Sequence, residues 1–89
     1  MVYEVRFAES AKAHLRALTA RQRRKAIEAI ETRLTHEPLN ETRNRKPLRP
    51  NPLAPWELRI GKLRVFYDVA ETEPGSVNIV AVGEKRGNR

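Results

Sequence analysis

The chain has 89 residues, with 18 Lys and Arg against 11 Asp and Glu, a formal net charge of +7, and no cysteine. One domain spanning residues 1–89 fits this length. No disulfide framework or thiolate site is available, and two histidines, His14 and His36, are too few for a metal cluster of their own. No stretch approaches the ~20 apolar residues that span a bilayer, so a soluble, cytoplasmic protein with no membrane partner is expected.

The charge is segregated. Between residues 41 and 65 the basic side chains of Arg43, Arg45, Lys46, Arg49, Arg59, Lys62 and Arg64 meet only Glu41 and Glu57 as acids. Residues 66–76 carry only acids, Asp68, Glu71 and Glu73. Such a block points to a phosphate-rich partner. An acidic protein segment is the other partner that fits.

In chain order, Val2–Phe7 predicts a strand with Tyr3, Val5 and Phe7 on one face. Ser10 is placed to cap a short helix carrying Ala11, Leu15 and Leu18 at helical spacing. Thr19 and Gln22 form a capping-box pattern that opens a second helix. Its apolar stripe is Ala26, Ile27, Ile30 and Leu34, and Pro38 ends it by biasing Glu37 out of the helical region. His14 borders the first stripe and reads as a structural or surface residue; His36 closes the second helix, where its positive form suits the dipole, and neither leads as a catalytic candidate.

Residues 37–55 predict a loop stiffened by Pro38, Pro47, Pro50, Pro52 and Pro55. A loop this long in a small domain is often functional.

The segment WELRIGKLRVFY, Trp56 to Tyr67, predicts a hairpin. Trp56, Leu58 and Ile60 alternate with Glu57 and Arg59, and Gly61-Lys62 suits a two-residue turn with Gly first. The register then sets Arg59 against Arg64, Glu57 against Phe66 and Trp56 against Tyr67. One face is apolar and needs cover. The other holds Glu57, Arg59, Arg64, Phe66 and Asp68. Like charges directly opposite destabilise a sheet, so an anion is expected between the two arginines, unless they splay into solvent. Trp56 falls on the core side by parity, whereas Phe66 shares the arginine face and either stacks a nucleotide base or lies under the loop.

Glu71–Ser76 reads as a turn centred on Pro-Gly, and Val77–Val82 as a last buried strand. Strand, helix, helix and three strands give an α+β domain: a small, mostly antiparallel sheet with a helical hairpin packed on one face.

The FAESAKAHLRAL start, the helical hairpin, the KPLR loop, WELRIGKLRVFY and the closing VAVGEKR, in this order, resemble the RelE/ParE toxin superfamily of bacterial type II toxin–antitoxin pairs. The resemblance covers nearly the whole chain and implies a fold similar to small microbial ribonucleases. In RelE-like members the target is mRNA in the ribosomal A site; in ParE-like members it is DNA gyrase. The positions matching the ribonuclease sites are Lys46 and Arg49 in the loop, Glu57, Arg59 and Arg64 on the hairpin, and Lys85 and Arg86 after the last strand. Most are basic, which favours the RelE-like branch. Glu57 stands where some relatives carry lysine, and Lys46 where others carry glutamate. Relatives often carry a Tyr or His a few residues past the GEKR segment. This sequence reaches Arg89 without one, so the activity is expected either to manage without it or to belong to a longer form.

The expected function is therefore a ribosome-dependent mRNA endoribonuclease that inhibits translation, held in check by an antitoxin whose acidic segment wraps it. The chemistry needs neither metal nor cofactor. The ribose 2′-OH attacks its own phosphodiester, a base takes its proton, an acid protonates the leaving 5′-oxygen, and cations hold the phosphorane. Arg64 is the leading clamp, since a guanidinium stays charged and grips two phosphate oxygens; Arg59 holds the same or the next phosphate. Lys46 is the slightly favoured base because Arg43, Arg45 and Arg49 crowd it with positive charge, and Glu57 is the alternative. Lys85 completes the catalytic candidates. Arg43, Arg45, Arg49, Lys62 and Arg86 are candidate phosphate contacts. Arg21, Arg23, Arg24 and Lys25, on the first turns of the second helix, form either a solvated face or a contact to ribosomal RNA. Two other readings are a gyrase inhibitor without nuclease chemistry and a basic RNA-binding module that does not cut.

Overall fold

In the computed structural model, which describes residues 2–48 and 54–84, the elements run β1 Glu4–Phe7, α1 Glu9–Ala17, α2 Ala20–Leu34, β2 Arg45–Pro47, β3 Trp56–Ile60, β4 Leu63–Ala70 and β5 Ser76–Glu84. The five strands form one sheet in the order β1-β5-β4-β3-β2. β1 runs parallel to β5; every other pairing is antiparallel. The fold is α+β, as the element order requires.

The hairpin has the expected register, with Trp56 opposite Tyr67, Glu57 opposite Phe66 and Arg59 opposite Arg64. Gly61 at φ 60° makes the turn, and no non-glycine residue among those described has positive φ. Positive φ at the first central position alone is the type II′ requirement, which is why glycine precedes lysine here.

Both helices lie on one side of the sheet. Ala11 and Leu15 of α1 and Ala26, Ile30 and Leu34 of α2 pack on Leu58, Ile60, Leu63, Val65, Tyr67, Val77, Ile79 and Val82. Trp56 flanks this core, its ring stacked on Tyr67 at 6.2 Å between centroids. Parity along β5 changes once: Tyr67 pairs with Ile79 but Phe66 with Ala81, so Val80 is bulged. The extra residue lets Val77 and Ile79 face the core on one side of it and Val82 on the other.

The capping box of α2 is formed: Thr19 Oγ1 accepts from the Gln22 N–H and Gln22 Oε1 from the Thr19 N–H, both at 3.1 Å. The cap expected at Ser10 is not. β1 stays hydrogen-bonded as far as the Ala8 N–H, which donates to the Ile79 carbonyl, and the chain turns into α1 at Ala8. Ser10 therefore already sits within the first turn of α1. Its hydroxyl donates to the Val80 carbonyl at 2.7 Å, while His14 Nδ1 accepts from the Val82 N–H at 3.2 Å. Beyond the end of β1, these two α1 side chains satisfy the outer edge of β5.

The proline-stiffened loop is not wholly irregular. Arg45–Pro47 adds an edge strand, flanked by bonds from Arg59 N–H to the Asn44 carbonyl and from Leu48 N–H to the Pro55 carbonyl. With Asn44 and Leu48 bonding toward β3, strand alternation turns Pro47 outward, and its missing N–H costs the ladder nothing. Pro38 is buried as well, and the Tyr67 hydroxyl donates to its carbonyl at 2.6 Å.

Candidate functional site

The face opposite the helices is built by strand alternation. Lys46 lies across from Glu57 and Glu57 from Phe66, which in turn faces Ala81. The next row is Arg59, Arg64 and Gly83. A Cβ at Gly83 would meet nothing within 4 Å, so the space beside Arg64 is open.

Glu57 is the centre of this face and is not a surface charge. It is only 2 % exposed. Its Oε1 lies 3.4 Å from Arg59 Nε and its Oε2 lies 3.3 Å from Arg64 Nε. The anion expected between the opposed arginines is thus supplied first by the protein itself. The two guanidinium side chains retain 37 % and 30 % exposure. Neither is aimed away from the other or covered by the helices. Two arginines, one carboxylate and Lys46 leave this patch net positive. Phe66 is half-buried beside it.

Arg45 does not belong to the site. It pairs with Leu58 on the core side of the sheet and is 7 % exposed. Its Nη1 donates to the Asn40 carbonyl at 2.8 Å, and its Nε has no partner among the described residues. Parity decides this: with Lys46 turned to the open face, Arg45 must point the other way. The expected phosphate contact at Arg45 is therefore withdrawn. Its charge reaches the Tyr67 phenol instead. Burial pushes that phenol well above its ordinary range, and Arg45 offsets a small part of the rise. Arg43 and Lys62 are exposed, Lys62 at the tip of the hairpin. Arg49, Lys85 and Arg86 lie outside the described residues.

One basic residue of α2 has a structural task that its sequence position does not advertise. Arg23 donates from Nε to the Leu15 carbonyl at 2.9 Å and from Nη2 to the Leu18 and Arg16 carbonyls at 3.0 and 3.4 Å. It closes the C-terminus of α1, where orphan carbonyls and the helix dipole both favour a cation. Arg21, Arg24 and Lys25 stay exposed. Among the described residues no group of three or more His, Cys, Asp and Glu could hold a metal ion, and no helix is long and apolar enough to cross a membrane.

A family model described as the ParE toxin of type II toxin-antitoxin system, parDE, matches residues 5–89. The chain belongs to this family. It is the toxin of a type II toxin–antitoxin system, within the RelE/ParE superfamily. No curated protein sequence matches it. Among solved structures, this ParE-family toxin is similar to a chain of the RelBE2 toxin–antitoxin complex of Mycobacterium tuberculosis, with 29 % identity and a TM-score of 0.82 over 96 % of this chain and 93 % of that one. It also resembles a chain of the archaeal RelE–RelB complex of Pyrococcus horikoshii, at 22 % identity and TM-score 0.75, each chain covered in full at 100 %. The isolated Escherichia coli RelE toxin matches at 22 % identity and TM-score 0.67, covering 98 % of this chain and 88 % of that chain. The last two likenesses show the fold.

Proposed function

We propose that this toxin is a ribosome-dependent mRNA endoribonuclease. The observation that carries the reading is the pair Arg59 and Arg64, side by side on the helix-free face with Lys46 one row away. In the reaction the 2′-oxygen bonds to phosphorus and the bond to the 5′-oxygen breaks, leaving a 2′,3′-cyclic phosphate and a 5′-hydroxyl end. Lys46 takes the 2′-OH proton, and solvent water protonates the departing 5′-oxygen. Arg64, with Arg59, holds the extra negative charge of the phosphorane, which strengthens both contacts in the transition state. Placement of the message by the ribosome supplies much of the remaining acceleration. Phe66 is positioned to stack a base beside the scissile phosphate. The partner that silences the toxin is a cognate antitoxin with an acidic, amphipathic segment covering this face. Two of the similar structures are toxin–antitoxin complexes, which supports that reading.

The match to the ParE family favours a second reading, inhibition of DNA gyrase by protein binding. Mapping mRNA 5′ ends on translating ribosomes, beside a gyrase supercoiling assay, separates the two. New ends that vanish in Arg64→Ala support the ribonuclease. Intact message with blocked supercoiling overturns it.

A further inference from the structure

We infer that Glu57 is a positioning residue, whose buried carboxylate sets Arg59 and Arg64 at the spacing needed to grip one phosphodiester. This deepens, and rests on, the ribonuclease reading of the same face.

Two guanidinium groups directly opposite in a ladder repel. Long side chains relieve that by splaying. Here one carboxylate stands between them: Arg59 Nε donates to its Oε1 at 3.4 Å, and Arg64 Nε lies 3.3 Å from its Oε2 as an ion pair without a hydrogen bond. The contact uses the Nε edge of each guanidinium, and the terminal NH2 edge is the one with which such a fork grips a phosphate. The dependence is mutual. A carboxylate only 2 % exposed is tolerated because two cations flank it, and the cations keep one geometry because it lies between them.

The same burial removes Glu57 from the role of general base. A base must come within hydrogen-bond reach of the proton it abstracts. A 2′-OH reaches these oxygens only by displacing a guanidinium. Lys46, directly opposite on β2 and half-buried on the same face, has no carboxylate within ion-pair distance among the described residues. Preorganisation counts most where charge develops, in the phosphorane, so loss of Glu57 acts on kcat rather than on binding.

The test is Glu57→Gln in the full chain, followed by cleavage kinetics on ribosome-bound mRNA and by NMR of the Arg59 Nε–H. The expected result is a fall in kcat on the order of 10- to 100-fold. KM stays level or drops, because the face gains positive charge. The Nε–H of Arg59, which donates to Glu57, exchanges faster with water than in the parent. A kcat equal to the parent's, or a KM that rises with kcat unchanged, would overturn the proposal. So would unchanged Nε–H exchange. If the parent toxin leaves ribosome-bound message intact, the ribonuclease reading fails, and the exchange measurement still decides whether Glu57 holds Arg59. Should Glu57→Gln not melt cooperatively, Glu57→Asp, with its charge on a shorter arm, takes its place, and slower turnover with faster exchange is again required.

Discussion

Lys46 lies directly across the β2–β3 ladder from Glu57, and both belong to the face that no helix covers. If Lys46 is the base, Lys46→Met lowers single-turnover cleavage by roughly 10²- to 10⁴-fold. Its position on an edge strand keeps the stability change within about 0.5 kcal/mol. Primer extension on ribosome-bound mRNA and a thermal melt check the two halves. Full activity in Lys46→Met removes Lys46 from the chemistry.

Arg64→Ala removes a cation from the proposed phosphorane clamp. A loss of about 2–4 kcal/mol of transition-state stabilisation is expected, or roughly 10²- to 10³-fold in kcat. Arg64→Lys does not restore it, since an ammonium lacks the planar fork. The logarithmic salt slope for single-stranded RNA binding falls by about 0.7 in Arg64→Ala, one phosphate contact. An unchanged slope places Arg64 away from the backbone.

Arg23 tests a different question. Arg23→Met strips the guanidinium from the α1 C-terminus, and a destabilisation of about 1–2 kcal/mol follows. In a domain of this size that lowers Tm by very roughly 4–8 °C per kcal/mol. Activity at low temperature stays at the parent level. Arg24→Met, on the exposed side of the same helix, leaves Tm in place. A cleavage defect in Arg23→Met with an unchanged Tm would return this residue to the RNA-contact reading.

The Tyr67 phenol gives the fold an alkaline limit. Burial raises its folded-state titration above the ordinary value of about 10. Folding therefore favours the neutral phenol. Its contribution is complete below the unfolded value and is lost as pH rises from there toward the folded one, at up to ~1.4 kcal/mol per pH unit. Tyr67→Phe abolishes this dependence. It also leaves the buried Pro38 carbonyl without its donor, at a cost of about 1–3 kcal/mol near neutrality. Urea melts of both proteins between pH 7 and 11 decide the matter. Parallel stability curves would refute the assignment.

The hairpin was legible in the sequence because a period of two and a glycine-led turn leave one register open. The capping box of α2 was legible for a similar reason: its two partners are three residues apart. Long-range pairing was harder. Ser10 carries a capping residue's hydroxyl, but the ladder bond at Ala8 moves the helix start ahead of it. β2 hid because Arg45 and Lys46 lack apolar alternation and Pro47 argues against a strand until the edge position is known. The buried state of Glu57 was missed for want of sheet order. Once β2 and β4 flank β3, the longer side chains of Lys46, Phe66, Arg59 and Arg64 surround a single carboxylate. The same ordering takes Arg45 out of the basic face. Nothing local distinguishes Arg23 from Arg24, since only the packed helical hairpin brings the end of α1 to one of them.

The bulge at Val80 is a point where β5 can shorten by one residue without exchanging its two faces. Deleting this one residue would leave Ala81 opposite Phe66, Val82 opposite Val65 and Gly83 opposite Arg64, so inside and outside along the remainder of β5 would be kept. Homologous chains that lack a residue at this point can therefore keep the same pattern of small and apolar residues downstream, with a regular ladder in place of the bulge.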